Sequence, residues 1–371
     1  MNRNQVGARS RWAPKRARVI PSMAAVAWSV TVGIPSALAH GDGEPPASTA
    51  GLWPWSSDVL IGLAIAAILF WRGSVRRAGK GSPVSRGRAA LFYSGLGAVF
   101  LALQTPLDVI AGHMFSVHQV QHLLLRGVAP MLLMLSLPSG PLIAGFPTSI
   151  RRRVVAPVMR NNGVQSAFGF LTRPLVCTTV YVTSLYFWQL PAYHNAALIN
   201  TTLHYVMHIS MLASGMLFFW SLFNAASPPW GSPFSHRIVM LGASMFANIP
   251  LGAIITLKES IAYSAYDLLG RWSSLEPLTD ELLGGLVMWI PGSMMGLIAM
   301  LLLIRHWGRT EEKLELRRQR GFHLPASDGA ALQAIGGHSE SSRRRRSAVA
   351  LALIPLAVFA GLMALAAWLG R

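Results

Sequence analysis

Two stretches place histidines at helical spacing inside apolar sequence. One reads Val117-His118-Gln119-Val120-Gln121-His122, the other Leu203-His204-Tyr205-Val206-Met207-His208. Residues four apart stand on one face of a helix, about 6 Å apart along its axis. Neutral imidazole is the commonest metal ligand among side chains, and an imidazole in hydrocarbon needs partners for both of its nitrogens. A single such histidine more often bonds a neighbouring helix. Two matched pairs on two helices, at one depth, favour convergence on an ion.

Methionines and acids surround the two pairs. Met211 continues the stripe of His204 and His208, Met207 lies beside it, Met114 adjoins His113, and Met288 sits about two turns into a later apolar run. Thioether with imidazole suits Cu(I) better than Zn(II) or Mg(II), although methionine is also a frequent core filler. His113 is a candidate ligand from a neighbouring loop; His194, in another loop, reads as an ordinary loop residue. Asp108, Asp280 and Gln121 are candidates to hydrogen-bond and orient ligating rings, and Asp280 also fits a helix N-cap. The single cysteine, Cys177, excludes a disulfide framework or a CxxC motif.

These residues need a scaffold, and the composition names its class. The 371-residue chain is 52% hydrophobic and 12% charged, too apolar for a water-soluble domain and expected of a polytopic membrane protein. Its net charge of +18 is gathered in blocks between apolar runs, without the interleaved aromatics of a base-stacking surface. Nucleic acid is therefore not an expected partner; membrane lipid is.

The N-terminal residues 1–39 read as a signal peptide or signal anchor: a basic start, an apolar stretch from Val19, and Ala37-Leu38-Ala39. Cleavage there would make His40 the first residue, whose α-amine and ring nitrogen together suit a copper ion. Eight apolar runs follow, Trp55–Trp71, Ala89–Leu107, Val117–Leu137, Pro174–Leu190, Leu203–Phe223, Ile238–Leu257, Glu281–Ile304 and Ser347–Gly370. The expected fold is all-α: a seven-helix membrane core over 40–304, a basic cytoplasmic linker over 305–346 that is helical from Glu311 to Arg320, and an additional C-terminal transmembrane helix over 347–371. Basic residues fill alternate loops (Arg72 to Arg88, Arg151 to Arg173, Arg305 to Arg346), while Lys258 and Arg271 alone occupy the others. The positive-inside rule then puts both histidine pairs near the extracytoplasmic side of a bacterial plasma membrane.

Several blocks, in order, resemble the CtaG family of cytochrome c oxidase assembly factors. They are His118-Gln119-Val120-Gln121-His122-Leu123-Leu124-Leu125 with Ala129-Pro130, Trp188-Gln189-Leu190-Pro191, His204 and His208 leading into Phe219-Trp220, and Asp280-Glu281-Leu282-Leu283-Gly284-Gly285-Leu286-Val287-Met288-Trp289. The chain departs from the family pattern at Gln119, Gln189 and Glu281, where Met, His and Gln are usual. The resemblance implies a non-enzymatic role in maturing a haem–copper oxidase, with oxidase subunits and periplasmic copper chaperones as partners. Taken alone, the residues also admit a bis-histidine haem protein, a copper transporter with Asn248 and Pro250 in a kinked sixth span, or a zinc hydrolase. The last fits least, since Gln119-Val120-Gln121 lacks the glutamate of HExxH.

Overall fold

The computed structural model describes residues 53–224, 232–272 and 274–321. The signal segment, His40, the linker beyond Gly321 and the expected span Ser347–Gly370 lie outside them. All regular structure among the described residues is helical. Helix α1 spans Ser57–Ala78, α2 Arg86–Leu103, α3 Pro106–Ala111 and α4 Phe115–Leu135. Helix α5 spans Ser139–Gly145, and short helical turns cover 148–160. Then come α6 Asn162–Leu171, α7 Pro174–Gln189, α8 Pro191–Ile199, α9 Thr201–Phe223, α10 Phe234–Leu257, α11 Ala265–Leu269 and α12 Pro277–Gly321.

Four of these, α1, α9, α10 and α12, are individually long and apolar enough to cross a membrane. A fifth results if α4 and α5, bent by 78° at their junction, form one broken span. Helix α2 begins with Arg86 and Arg88, and α7 has 16 residues, so each falls at the edge of what a bilayer requires. The outward faces carry Ile61, Ile65 and Ile68 on α1, Ile254 on α10 and Leu301 on α12, all exposed. Such a surface matches lipid and not water. The helix expected over 311–320 is the continuation of α12, which runs unbroken for 45 residues.

Helix α4 is the axis of the bundle: α2 and α9 pack along it, and α12 packs against its first half. Glycines set these distances. A Cβ on Gly215 of α9 would lie 2.3 Å from the Arg126 carbonyl oxygen, and one on Gly284 of α12 would lie 2.3 Å from the Phe115 ring. Only glycine lets the α9 backbone close that far on α4 and lets the Phe115 ring lie against α12. Helix α4 also holds a π turn at Leu124–Val128, just before Pro130. The wider turn accommodates the missing proline N–H and re-aims the side chains on either side of it.

The connection between α10 and α12 folds over the end of the bundle where α4 begins. The two basic residues that stood out in that loop meet the two acids that open α12. Lys258 pairs with Glu281, and Arg271 lies 3.1 Å from Asp280. Glu281 also accepts from the backbone N–H groups of Ala262 and Tyr263, both at 3.0 Å. Buried carboxylates with this many donors hold the loop in one place. That loop delivers Tyr266 to the histidines.

Candidate metal centre

The start of α4 is built by a neighbour. Asp280 accepts from the backbone N–H of Phe115 at 2.8 Å and of Ser116 at 3.0 Å, and from the Ser116 hydroxyl at 2.5 Å. It thus caps α4 from α12, supplying the acceptor that the local sequence lacks. The cap sets the rotation of α4, so His118 and His122 both point inward, 0% and 3% exposed. On α9, the Asn200 side chain accepts from Leu203 N at 2.9 Å and starts the helix about one turn before His204. His204 and His208 are buried on the face turned to α4.

The four rings form one knot. Centroids lie 4.3 Å apart for His118 and His122, 4.4 Å for His204 and His208, 5.3 Å for His118 and His204, and 5.9 Å for His118 and His208. Ligand nitrogens of His118, His204 and His208 all lie within 4.8 Å of one another, and the Nε2 atoms of His204 and His208 are 3.2 Å apart. Three nitrogens each about 2.0 Å from an ion stand roughly 3.3–3.5 Å apart. The trio is therefore within a small side-chain adjustment of a coordination site. His122 stands at its edge, with both ring nitrogens buried and without a hydrogen-bond partner.

Two residues that the sequence did not mark as ligand partners complete the cluster. His194, on α8, is fully buried with its centroid 5.0 Å from that of His118. The Tyr266 hydroxyl lies 2.8 Å from His118 Nδ1 and 2.9 Å from His194 Nε2, and His194 Nδ1 lies 3.1 Å from the Trp188 carbonyl oxygen. A carbonyl can only accept, so His194 carries its proton on Nδ1 and presents a lone pair at Nε2. The Tyr266 O–H donates to that lone pair, and its oxygen accepts from His118 Nδ1–H. His118 is left with a bare Nε2, which has no partner within the protein. Burial pushes His194 down to about 4, against the opposing pull of the Trp188 carbonyl, and raises the Tyr266 phenol well above its usual range. Both groups are neutral at pH 7, as the relay requires.

The remaining sequence candidates are distributed as follows. Met211 is fully buried beside Met207, Trp188 and Ala197, next to the α9 histidines. Met288 lines a cavity together with His122 and Gln119. His113 lies apart: its Nδ1 is 2.7 Å from the Gly270 carbonyl oxygen and its ring stacks on Trp272, so it fastens the loop instead of joining the knot. Asp108 accepts from Gln121 Nε2 at 2.5 Å, and Gln121 Nε2 also donates to the Ala102 carbonyl, tying α3 and α2 to α4 one residue before His122. Asp280 grips α4 and Arg271. The ring-orienting role expected of these acids falls to Tyr266 and His194. Gln119 and Gln189, two of the three departures from the resembled pattern, touch each other: Gln189 Nε2 donates to Gln119 Oε1 at 2.6 Å.

One of the missed residues had a sequence signal: His194 lies three residues after Pro191 of the Trp188-Gln189-Leu190-Pro191 block. Tyr266 had none, because its approach depends on loop closure.

Comparison with known proteins bears on this arrangement. The family model of the cytochrome c oxidase caa3 assembly factor (Caa3_CtaG) matches residues 67–310. An uncharacterized protein of Mycobacterium bovis is 26% identical over 321 residues, which is 82% of this chain and 47% of that protein. One from Mycobacterium tuberculosis matches with the same figures, and one from Mycobacterium leprae is 25% identical over 297 residues, 75% of this chain and 43% of its own. The chain thus spans about half the length of the curated relatives it matches. No solved structure matches it.

Proposed function

The chain belongs to the cytochrome c oxidase caa3 assembly factor family, and from that premise we propose that it carries a copper ion as cargo and passes it to the oxidase during maturation. The observation that supports this reading is the convergence of His118, His204 and His208 on one point, with the His118 lone pair turned toward it by Tyr266 and His194. The donors are neutral nitrogens, and the nearest soft atoms are the thioethers of buried Met207 and Met211. That set suits Cu(I). Charge argues the same way: the cost of desolvating an ion scales with the square of its charge, so a monovalent ion enters such a buried site at about a quarter of the cost of a divalent one.

Three nitrogens leave room for a further ligand. A recipient's thiolate, thioether or imidazole can enter there before the ion lets go of the chain, which is how cargo is exchanged without release into water. His122, adjacent and without partners, is placed to take part in that exchange. On this reading oxidase subunits receive the ion and extracytoplasmic copper chaperones supply it. The distribution of basic loops supports a multi-pass protein of the bacterial plasma membrane with the knot near its outer face. No step of bond-making chemistry on a substrate is assigned to the chain.

Rings packed at 4.3–5.9 Å form a compact knot and not two facing walls, which favours an ion over a porphyrin. The deciding experiment is metal analysis of detergent-purified protein alongside oxidase activity in the host. One cuprous ion per chain is expected in wild type, with loss of both copper and oxidase activity in His118→Ala combined with His204→Ala. Unchanged copper content and oxidase activity in that variant would end the proposal.

A further inference from the structure

A second feature lies below the knot, on the far side of His122. A chamber of about 40 Å³ opens between α4, α7, α9, α10 and α12, and its polar lining includes Gln119, His122, Arg126, Ser244 and Asn248. We propose that this chamber is a binding site for one small monovalent anion of chloride size.

Arg126 carries the argument. It sits on the π turn of α4, one step of four beyond His122, well inside the span. Its Nη2 donates to the Tyr181 carbonyl at 3.0 Å and its guanidinium lies 3.7 Å from the centroid of the Tyr181 ring. Its Nε is buried without a hydrogen-bond partner, and the ion pairs among the described residues do not include it. A guanidinium does not deprotonate, and an uncompensated cation within a bilayer is costly. One carbonyl and one ring face offset only part of that charge.

The donors around the chamber show where the compensation belongs. Asn248 Nδ2 already donates to the Met288 carbonyl, Ser244 Oγ to the Leu241 carbonyl, and the Gln119 and Gln189 amides to each other. Arg126 Nε and the His122 ring have no partner at all, and both stand on one face of α4 lining one small space. A cation there would meet the guanidinium head on. An anion accepts from both. The volume admits about three waters or a single halide-sized ion, and is too small for a lipid headgroup. The site goes beyond the copper reading and does not depend on it. If copper does occupy the knot, the anion also separates it from Arg126, a like charge in a low-dielectric setting.

The test uses full-length, metal-stripped protein in detergent. Binding of radioactive chloride is measured at constant ionic strength balanced with gluconate, which is too large for the chamber. One saturable chloride per chain is expected, displaced by bromide. Arg126→Gln should weaken it at least tenfold while Arg126→Lys retains most of it. Absence of saturable chloride binding in wild type overturns the proposal, since the chamber then holds only water. Undiminished binding in a folded Arg126→Gln protein overturns it too. Should Arg126→Gln not fold, His122→Ala takes its place: at least tenfold weaker binding is expected, and an unchanged affinity counts against the site. Because no copper is present, this result stands or falls separately from the copper experiment.

Discussion

The Tyr266 hydroxyl stands between His118 Nδ1 and His194 Nε2, at 2.8 and 2.9 Å, and so links a ring of the knot on α4 to a buried ring on α8. Tyr266 comes from neither helix. It is carried by a loop that Glu281 and Asp280 hold from α12. The tautomer of His118 therefore depends on the whole end of the bundle being closed. Groups that orient a ligand in this way are worth about 10–100-fold in metal affinity.

Tyr266→Phe removes the hydroxyl and keeps the ring. Cuprous affinity, measured by competition with a Cu(I) chelator, should fall by roughly tenfold. His194→Ala should cost about as much, and the double variant little more, because both break one relay. Additive losses would show that the two residues act separately.

His113 supplies an internal control. It lies in the same region of sequence as His118 but bonds Gly270 and stacks on Trp272. His113→Ala should keep full copper stoichiometry while lowering thermal stability by about 1 kcal/mol. Copper loss equal to that of His118→Ala would place His113 among the ligands after all.

Asp280 anchors the geometry. It is 2% exposed and accepts from two backbone N–H groups, a hydroxyl and Arg271. Asp280→Ala leaves the Phe115 and Ser116 donors without their acceptor and the Arg271 charge with only Asp267 and the more distant Glu281, at a cost of roughly 3–5 kcal/mol. Thermal unfolding in detergent should show it, with copper binding lost even though no ligand was changed. Asp280→Asn, which keeps one acceptor oxygen, should fall between the two.

Asp108 gives the protein a pH dependence. Burial raises its carboxyl from 3.8 to about 7, with the Gln121 hydrogen bond opposing. A folded value above the unfolded one means the native state holds the proton more tightly. Stability is therefore fully present below about pH 4 and lost as pH rises toward 7. The loss is on the order of 3 kcal/mol after allowing for residual exposure. Asp108→Asn, which cannot ionise, should melt at nearly the same temperature at pH 5 and 7.5, while wild type melts lower at 7.5. Equal melting temperatures for wild type at the two pH values would exclude a raised carboxyl.

Much of this was legible in the chain. Among the described residues, apolar runs located where the long helices begin within a few residues, because a bilayer imposes length and composition directly on the segment that crosses it, while α1 and α12 run well past the expected ends at Trp71 and Ile304. The paired histidines announced their own face and depth, because spacing by four is a local helical property. The breaks were harder to read. The π turn at Leu124–Val128 sits just before Pro130, where Gly215 packs on the Arg126 carbonyl, and the 78° bend before α5 falls at Leu137-Pro138, where Leu137 takes a positive φ; no hydrophobic periodicity foretells either.

The loop residues were the least readable. His194 looked unremarkable because its place beside the Trp188–Pro191 block does not by itself state that α8 folds back under Trp188. Asp108 and Asp280 were expected to steady imidazoles, and both instead hold α4 itself, one through Gln121 and the other through the backbone of Phe115 and Ser116.

The sequence by itself determined the helical membrane class, the family resemblance and the two HxxxH stripes, since each rests on properties that a segment carries wherever it is placed. Tertiary structure alone decided that His118, His204 and His208 meet, that Tyr266 and His194 turn the His118 lone pair inward, and that Arg126 faces a chamber with His122. Those relations join residues up to 148 positions apart, as His118 and Tyr266 do. They are set by how closely glycine lets helices approach and by which buried donors find acceptors, neither of which any one segment can specify.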